Sequence, residues 1–235
     1  MPLSLAKSTS ETHQIKAIIF DMDGLLLDTE TLSFESFVTT AKRYDIAVGI
    51  DHYQDMIGLN AATGIEILRR ILPSNIDAFA FKNEWLNVYQ KLLAGDVIAK
   101  KWAHTFLARL HELNVPRAVA TSSSGAKARR LLEKTGLMRF IQHVTGGDEV
   151  NAGKPAPDVY VAAAKKLGIA PKHCLALQDS NNGATAALAA RMWVIQIPDL
   201  APSNRLPNPP DFNICYSLKE AASLIGLPLD DHLKP

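Results

Sequence analysis

Apolar positions along this chain follow two periods. Short strand-like stretches recur at residues 16–20, 117–121, 143–145, 174–178, 194–197 and 213–215. The clearest of them, Ala17-Ile18-Ile19-Phe20, is apolar at every position, as in a strand buried on both faces. Between these stretches apolar residues recur every three or four positions. Phe106, Leu107, Leu110 and Leu113 share one helical face, and so do Ala128, Leu131, Leu132 and Thr135. Pro157 suits the first turn of a helix that runs through Leu167 and stops at Gly168. Asn181 is placed to cap an alanine-rich helix through Arg191. Strands alternating with helices predict an α/β fold around a parallel sheet.

One block breaks the alternation. From about residue 31 to 95 the patterns are helical and no strand is evident. Ile65, Leu68, Ile71 and Leu72 form one stripe; Trp85, Val88, Tyr89, Leu92 and Leu93 form another. The block is too long for a single crossover and predicts an inserted all-α cap domain. The expected division is a flexible tail over 1–14, an α/β core over 15–30 and 98–235, and a helical cap over 31–97. Residues 198–211 hold five prolines and are expected to be a loop.

Composition narrows the function. Hydrophobic residues make up 47% and charged residues 21%, the balance of an ordinary globular protein. A formal net charge of +1 supplies no field for nucleic acid or an acidic membrane, so neither partner is expected. No apolar run spans a bilayer, and the polar start lacks the form of a signal peptide, so a cytoplasmic protein is expected. Cys174 and Cys215 lie in apolar runs without metal or redox spacing and are expected to be buried thiols. No apolar seam marks an oligomer, and a monomer is expected.

Polar residues in four places follow strand-like stretches. Asp21 and Asp23 come directly after Phe20, spaced by two so that both can face one pocket, and Gly24 permits a sharp turn. Two acids that close need a positive partner or a shared proton, and hard oxygen ligands suit magnesium. The chemistry suggested is attack by one carboxylate and proton transfer by the other on an anionic substrate. Thr121 ends the second strand, and with Ser122 and the backbone after it makes a phosphate cradle. Lys154 stands in a loop stiffened by Pro155 and Pro157 and can neutralise both a phosphate and a carboxylate. Asp179 follows the 174–178 stretch and can complete an oxygen cage for the metal. Each has a plainer reading: turn-forming acids for the first pair, helix caps for Thr121 and Asp179, a solvated charge for Lys154. Their common place at strand ends, where parallel sheets bind ligands, favours the chemical one.

Taken together, these residues resemble the haloacid dehalogenase-like hydrolase superfamily. Asp21-Met22-Asp23-Gly24-Leu25-Leu26-Leu27-Asp28-Thr29-Glu30 resembles its first motif, in the form seen in the β-phosphoglucomutase-like subgroup. Thr121 matches the second motif, Lys154 the third, and Asp179-Ser180-Asn181-Asn182-Gly183 the fourth. The resemblance implies a Rossmann-like doubly wound core with a helical cap. It implies Asp21 as nucleophile, Asp23 as acid and base, and Thr121, Ser122 and Lys154 on the phosphoryl oxygens. Magnesium would be held by Asp21, by the backbone of Asp23 and by Asp179.

The departures bear on activity. Gln178 replaces an acid usual in the subgroup, which implies weaker magnesium binding. Mutase members carry a histidine where Ser33 aligns and a cap arginine where Ala61 aligns. Lys100-Lys101-Trp102 stands where a Lys-Pro-Gly turn is common, which implies a different second hinge. Dehalogenating members lack the acid matched by Asp23. The expected activity is therefore hydrolysis of a small phosphomonoester, such as a sugar phosphate. Phosphosugar mutase chemistry and a catalytically weakened phosphometabolite-binding protein are the alternatives. A receiver-like switch is disfavoured because the acid ends the first strand. Specificity is expected from the cap, near Ser33, Phe34, Gly58, Asn60 and Trp85.

Overall fold

Ala17-Ile18-Ile19-Phe20 has no polar side chain and is wholly buried, so its backbone groups must be paired within the protein on both sides. In the computed structural model, which describes residues 3–6, 12–54, 56–57, 61–200 and 211–229, this segment is a central strand. Two strands precede it, β1 (Leu3–Ala6) and β2 (Thr12–Ile15), so it is β3 (Ala17–Phe20). Then come β4 (Arg117–Ala120), β5 (His143–Thr145), β6 (Cys174–Gln178), β7 (Trp193–Gln196) and β8 (Phe212–Ile214). They form a parallel sheet in the order β5-β4-β3-β6-β7-β8, with β3 between β4 and β6. The order reverses beside β3, the switch point at which such sheets bind ligands.

Alternate strand residues feed two cores. Ile18, Phe20, Val119, Leu175 and Leu177 face one side, against α5 (Ala103–Glu112), α6 (Gly125–Lys134) and α9 (Leu218–Leu224). Ala17, Ile19, Ala118, Cys174 and Ala176 face the other, against α7 (Asp158–Leu167) and α8 (Asn181–Ala189). This is the period-two alternation of a doubly wound sheet. The second core is built largely of alanine, so α7 and α8 pack close to the sheet.

The helices between β3 and α5 are α1 (Thr29–Arg43), α2 (Ile50–Gln54), α3 (Ala61–Ile71) and α4 (Ala78–Ala94). They surround a hydrophobic cluster of their own. Phe37 is its centre, with ring centroids 5.2 Å from Trp85 and 5.9 Å from both Tyr53 and Phe81. The two connections to the sheet run side by side. Asp28 N donates to Ile98 O at 3.0 Å and Lys100 N to Leu26 O at 2.8 Å. Lys134 on α6 donates to the carbonyls of Leu93 and Ala94 at the end of α4, which ties the helical region to the core a second time.

Several local expectations are revised. The expected tail forms the antiparallel pair β1–β2, because Leu3 and Ile15 oppose each other and are buried in the main core. The cap of α8 is Ser180, whose hydroxyl accepts from Gly183 N, and the helix ends at Ala189. Pro157 is the residue before α7, and Gly168 ends that helix with φ of 69°. Trp102 takes a φ of 75° at the second connection, where Lys100-Lys101-Trp102 replaces the common turn. Cys174 and Cys215 are free and buried, as expected. Of the proline-rich stretch, residues 201–210 lie outside the described residues. Among the described residues no helix is long and apolar enough to cross a membrane.

Phe37→Ala is expected to lower stability by about 3–5 kcal/mol through lost burial and a residual cavity. Chemical denaturation followed by tryptophan fluorescence measures it, since Trp85 reports on the same cluster.

Candidate active site

The carboxyl edge of the sheet gathers the polar residues. Asp21 continues β3 by one residue and keeps its ladder bond, N–H to Leu177 O at 2.9 Å. Thr121 continues β4 and donates its N–H to Thr145 O at 3.0 Å. Asp179 follows β6, and Lys154 comes from the loop between β5 and α7. All four side chains are buried. They line a cavity of about 250 Å³ between the sheet edge and the helical region.

Lys154 Nζ lies 3.0 Å from Asp21 Oδ1 and donates to Ala120 O at 3.2 Å. The face of Tyr160 lies 5.1 Å from the ammonium. Asp23 is held by three hydroxyls. Thr29 donates to Oδ1 at 2.8 Å; Ser123 and Thr121 donate to Oδ2 at 2.9 and 3.1 Å. Thr121 Oγ1 also accepts from Ser123 N, which fixes the turn after β4. Gly24 has a φ of 76°, and a Cβ there would lie 2.4 Å from Asp179 Oδ2. The turn after Asp23 is therefore pressed against the Asp179 carboxylate, an approach only glycine permits.

The cavity is rich in acid. Burial pushes the Asp21 carboxyl upward; the Lys154 ammonium opposes that, and Asp23 adds to it. Asp179 is pushed well above the usual carboxylate range by burial, then by the charges of Asp21 and Glu30. Glu30 accepts from Tyr53 Oη at 2.6 Å, and burial raises its carboxyl to about 7. Such crowding marks a place built to receive positive charge.

Asp21, Asp23, Thr121, Ser122, Lys154 and Asp179 thus all line one cavity. Gln178 does not. Its amide oxygen accepts from Tyr160 Oη at 3.2 Å and its nitrogen donates to Ser180 Oγ at 2.8 Å, in the buried layer behind the site. Of the residues expected to set specificity, Ser33 and Trp85 line the cavity, whereas Phe34 packs in the helical cluster. Gly58, Asn60 and the side chain of Ala61 lie outside what the structure describes. Sequence reasoning missed Glu30, Tyr53, Ser123 and Lys127. Glu30 and Ser123 stood beside the motif residues, a usable signal; Tyr53 and Lys127 carried none.

A family model for haloacid dehalogenase-like hydrolases matches residues 18–197. The chain belongs to that family. It is 30% identical over 190 residues to fructose-1-phosphate phosphatase YqaB of Escherichia coli (strain K12), covering 77% of this chain and 95% of the relative. It is 32% identical over 205 residues to (DL)-glycerol-3-phosphatase 2 of Arabidopsis thaliana, covering 83% and 84%. Among solved structures, CbbY of Rhodobacter sphaeroides in complex with phosphate superposes with a TM-score of 0.72. That match is 24% identical and covers 91% of this chain and 100% of the other, a likeness of fold. Family membership and fold agree with the expectations from sequence, and the phosphatases among the relatives agree with the expected enzyme class.

Glu30 generates a pH prediction. Its folded carboxyl binds a proton up to about pH 7, against 4.5 for the ordinary group. A raised acid stabilises the fold at low pH and loses that contribution as pH rises. The metal-free protein is expected to lose on the order of 3 kcal/mol between about pH 4.5 and 7 from this group. Glu30→Gln removes that part of the slope, read as melting temperature against pH in both proteins.

Proposed function

We propose that this protein is a magnesium-dependent phosphatase that hydrolyses small phosphorylated sugars or polyols through a phosphoenzyme on Asp21. The observation that carries the reading is the pairing of two acids in different settings. Asp21 faces a buried ammonium, while Asp23, two residues on, is oriented by three hydroxyls.

The donor set fits a hard dication. Asp21 and Asp179 are buried oxygen donors with Lys154 as the nearby cation, and Gly24 keeps the approach to Asp179 clear of a side chain. Among the described residues no group of three acidic, histidine or cysteine side chains forms a ready metal cluster. Backbone oxygen, such as the Asp23 carbonyl, and substrate oxygen would complete the shell. When bound, magnesium supplies positive charge that offsets the repulsion between carboxylate and phosphate.

The residues divide the reaction. A carboxylate oxygen of Asp21 attacks phosphorus as the bond to the leaving alcohol oxygen breaks. Asp23 gives that oxygen a proton. Water then attacks phosphorus, Asp23 takes its proton, and the bond to Asp21 breaks to release phosphate. The three hydroxyls on Asp23 hold its carboxyl group in one orientation through both halves. Thr121, Ser122 and Lys154 receive the phosphoryl oxygens as charge shifts. The helices α1, α2 and α4 roof the cavity and screen the leaving group from water.

Phosphate release across sugar and polyol phosphates, with and without a chelator, tests the reading. The chelator is expected to abolish turnover, and Asp21→Asn to lower kcat by roughly a thousandfold or more. Undiminished turnover in either case contradicts it. Bisphosphate-primed interconversion of sugar phosphates faster than hydrolysis would instead identify a mutase.

A further inference from the structure

Lys127 occupies the third position of α6, three residues after its cap. Ser124 Oγ faces Lys127 N at 3.4 Å, the N-terminal half of a capping box. The matching residue at that position is normally Glu or Gln, which reaches back to the cap. A cation there opposes the helix dipole and costs stability. Among the described residues no carboxylate offsets that cost: the ammonium lies over the ring of Tyr89, 4.8 Å from its centroid, and pairs with no acid. Tyr89 belongs to α4, on the opposite wall of the same cavity, and both residues line it. A local rule is broken where a ligand would enter, as happens at functional positions.

The charge distribution says what Lys127 would meet. The cavity walls carry the acids Asp21, Asp23, Glu30 and Asp179, and just two cations among the described residues, Lys154 and Lys127. Lys154 is occupied by Asp21 and by Ala120 O. An acidic group on the far end of a substrate would be repelled by these walls unless a free cation received it. Lys127 is that cation. An ammonium has three donors, so it can keep its ring contact and still bind an oxyanion.

We infer that Lys127 selects phosphomonoesters whose alcohol carries a second acidic group, phosphate or carboxylate, at the end remote from the transferred phosphate. The inference rests on the phosphatase reading for the place of the transferred phosphate, and deepens it by naming a substrate class. Lys127 is a specificity residue here and takes no part in bond making.

The test is binding by calorimetry on the full chain with magnesium, in an Asp21→Asn background that stops turnover. Two matched pairs serve as probes: glycerol 3-phosphate against 3-phosphoglycerate, and fructose 1-phosphate against fructose 1,6-bisphosphate. The acidic member of at least one pair is expected to bind about tenfold tighter, as for one charge-assisted hydrogen bond. That ratio should fall to within about twofold in Lys127→Met and be kept in Lys127→Arg. No preference for either acidic member, or the same preference in Lys127→Met, overturns the inference; a general effect of the lysine on the cavity would shift both members alike and leave the ratio unchanged. Wild-type protein that shows the preference yet releases no phosphate from any probe overturns the phosphatase reading and leaves the Lys127 assignment standing.

Discussion

The contact between Lys154 and Asp21 is the constraint on which the site depends. A carboxylate at the end of a fully buried strand has lost most of its hydration, and it feels the charges of Asp23 and Asp179. The ammonium 3.0 Å away opposes the rise that burial gives the Asp21 carboxyl, and so favours the carboxylate form that the proposed attack on phosphorus needs. Lys154 is itself buried, so the pair is held in low dielectric and neither member is easily replaced. The Ala120 carbonyl and the Tyr160 ring fix where the ammonium points. Strand, loop and helix thereby meet at one atom pair.

The rest of the arrangement follows from geometry at the same edge. The three strands that end beside one another, β4, β3 and β6, deliver Thr121, Asp21 and Asp179 to one edge, with Thr121 and Asp179 one residue beyond Asp21 in register. Gly24 lets the chain turn back across Asp179 without a side chain in the way, and Thr29 at the start of α1 returns a hydroxyl to Asp23. The helical region then supplies the opposite wall. Its own cluster around Phe37 makes it internally stable, while the paired connections and Lys134 attach it to the core. Residues from both parts therefore face each other across a small cavity, as Tyr89 and Lys127 do.

Much of this was legible in the sequence, for definite reasons. Strands of a doubly wound sheet are short and apolar on both faces, so all six core strands were found within a residue or so of their ends. Acids and hydroxyls immediately after such strands are poor core residues, so Asp21, Asp23, Thr121 and Asp179 stood out. What stayed hidden depended on tertiary contact. Leu3 and Ile15 stabilise the first hairpin by meeting each other and the core, and no local pattern records that. Gln178 suggested a change at the metal by its place next to Asp179, yet adjacent strand residues point to opposite sides, and its amide is committed to Tyr160 and Ser180. Tyr53 and Lys127 come from helices whose stripes gave no sign of which polar residue would face the cavity.

In the proposed reaction Asp21 carries the phosphoryl group between alcohol and water. The direct measurement is rapid acid quench of the magnesium-loaded enzyme turning over a radiolabelled phosphomonoester, followed by peptide mapping at low pH. A transient label is expected on the peptide containing Asp21, and none in Asp21→Asn. Rapid phosphate release with no protein-bound label at any time, or a label on a different residue, would contradict it.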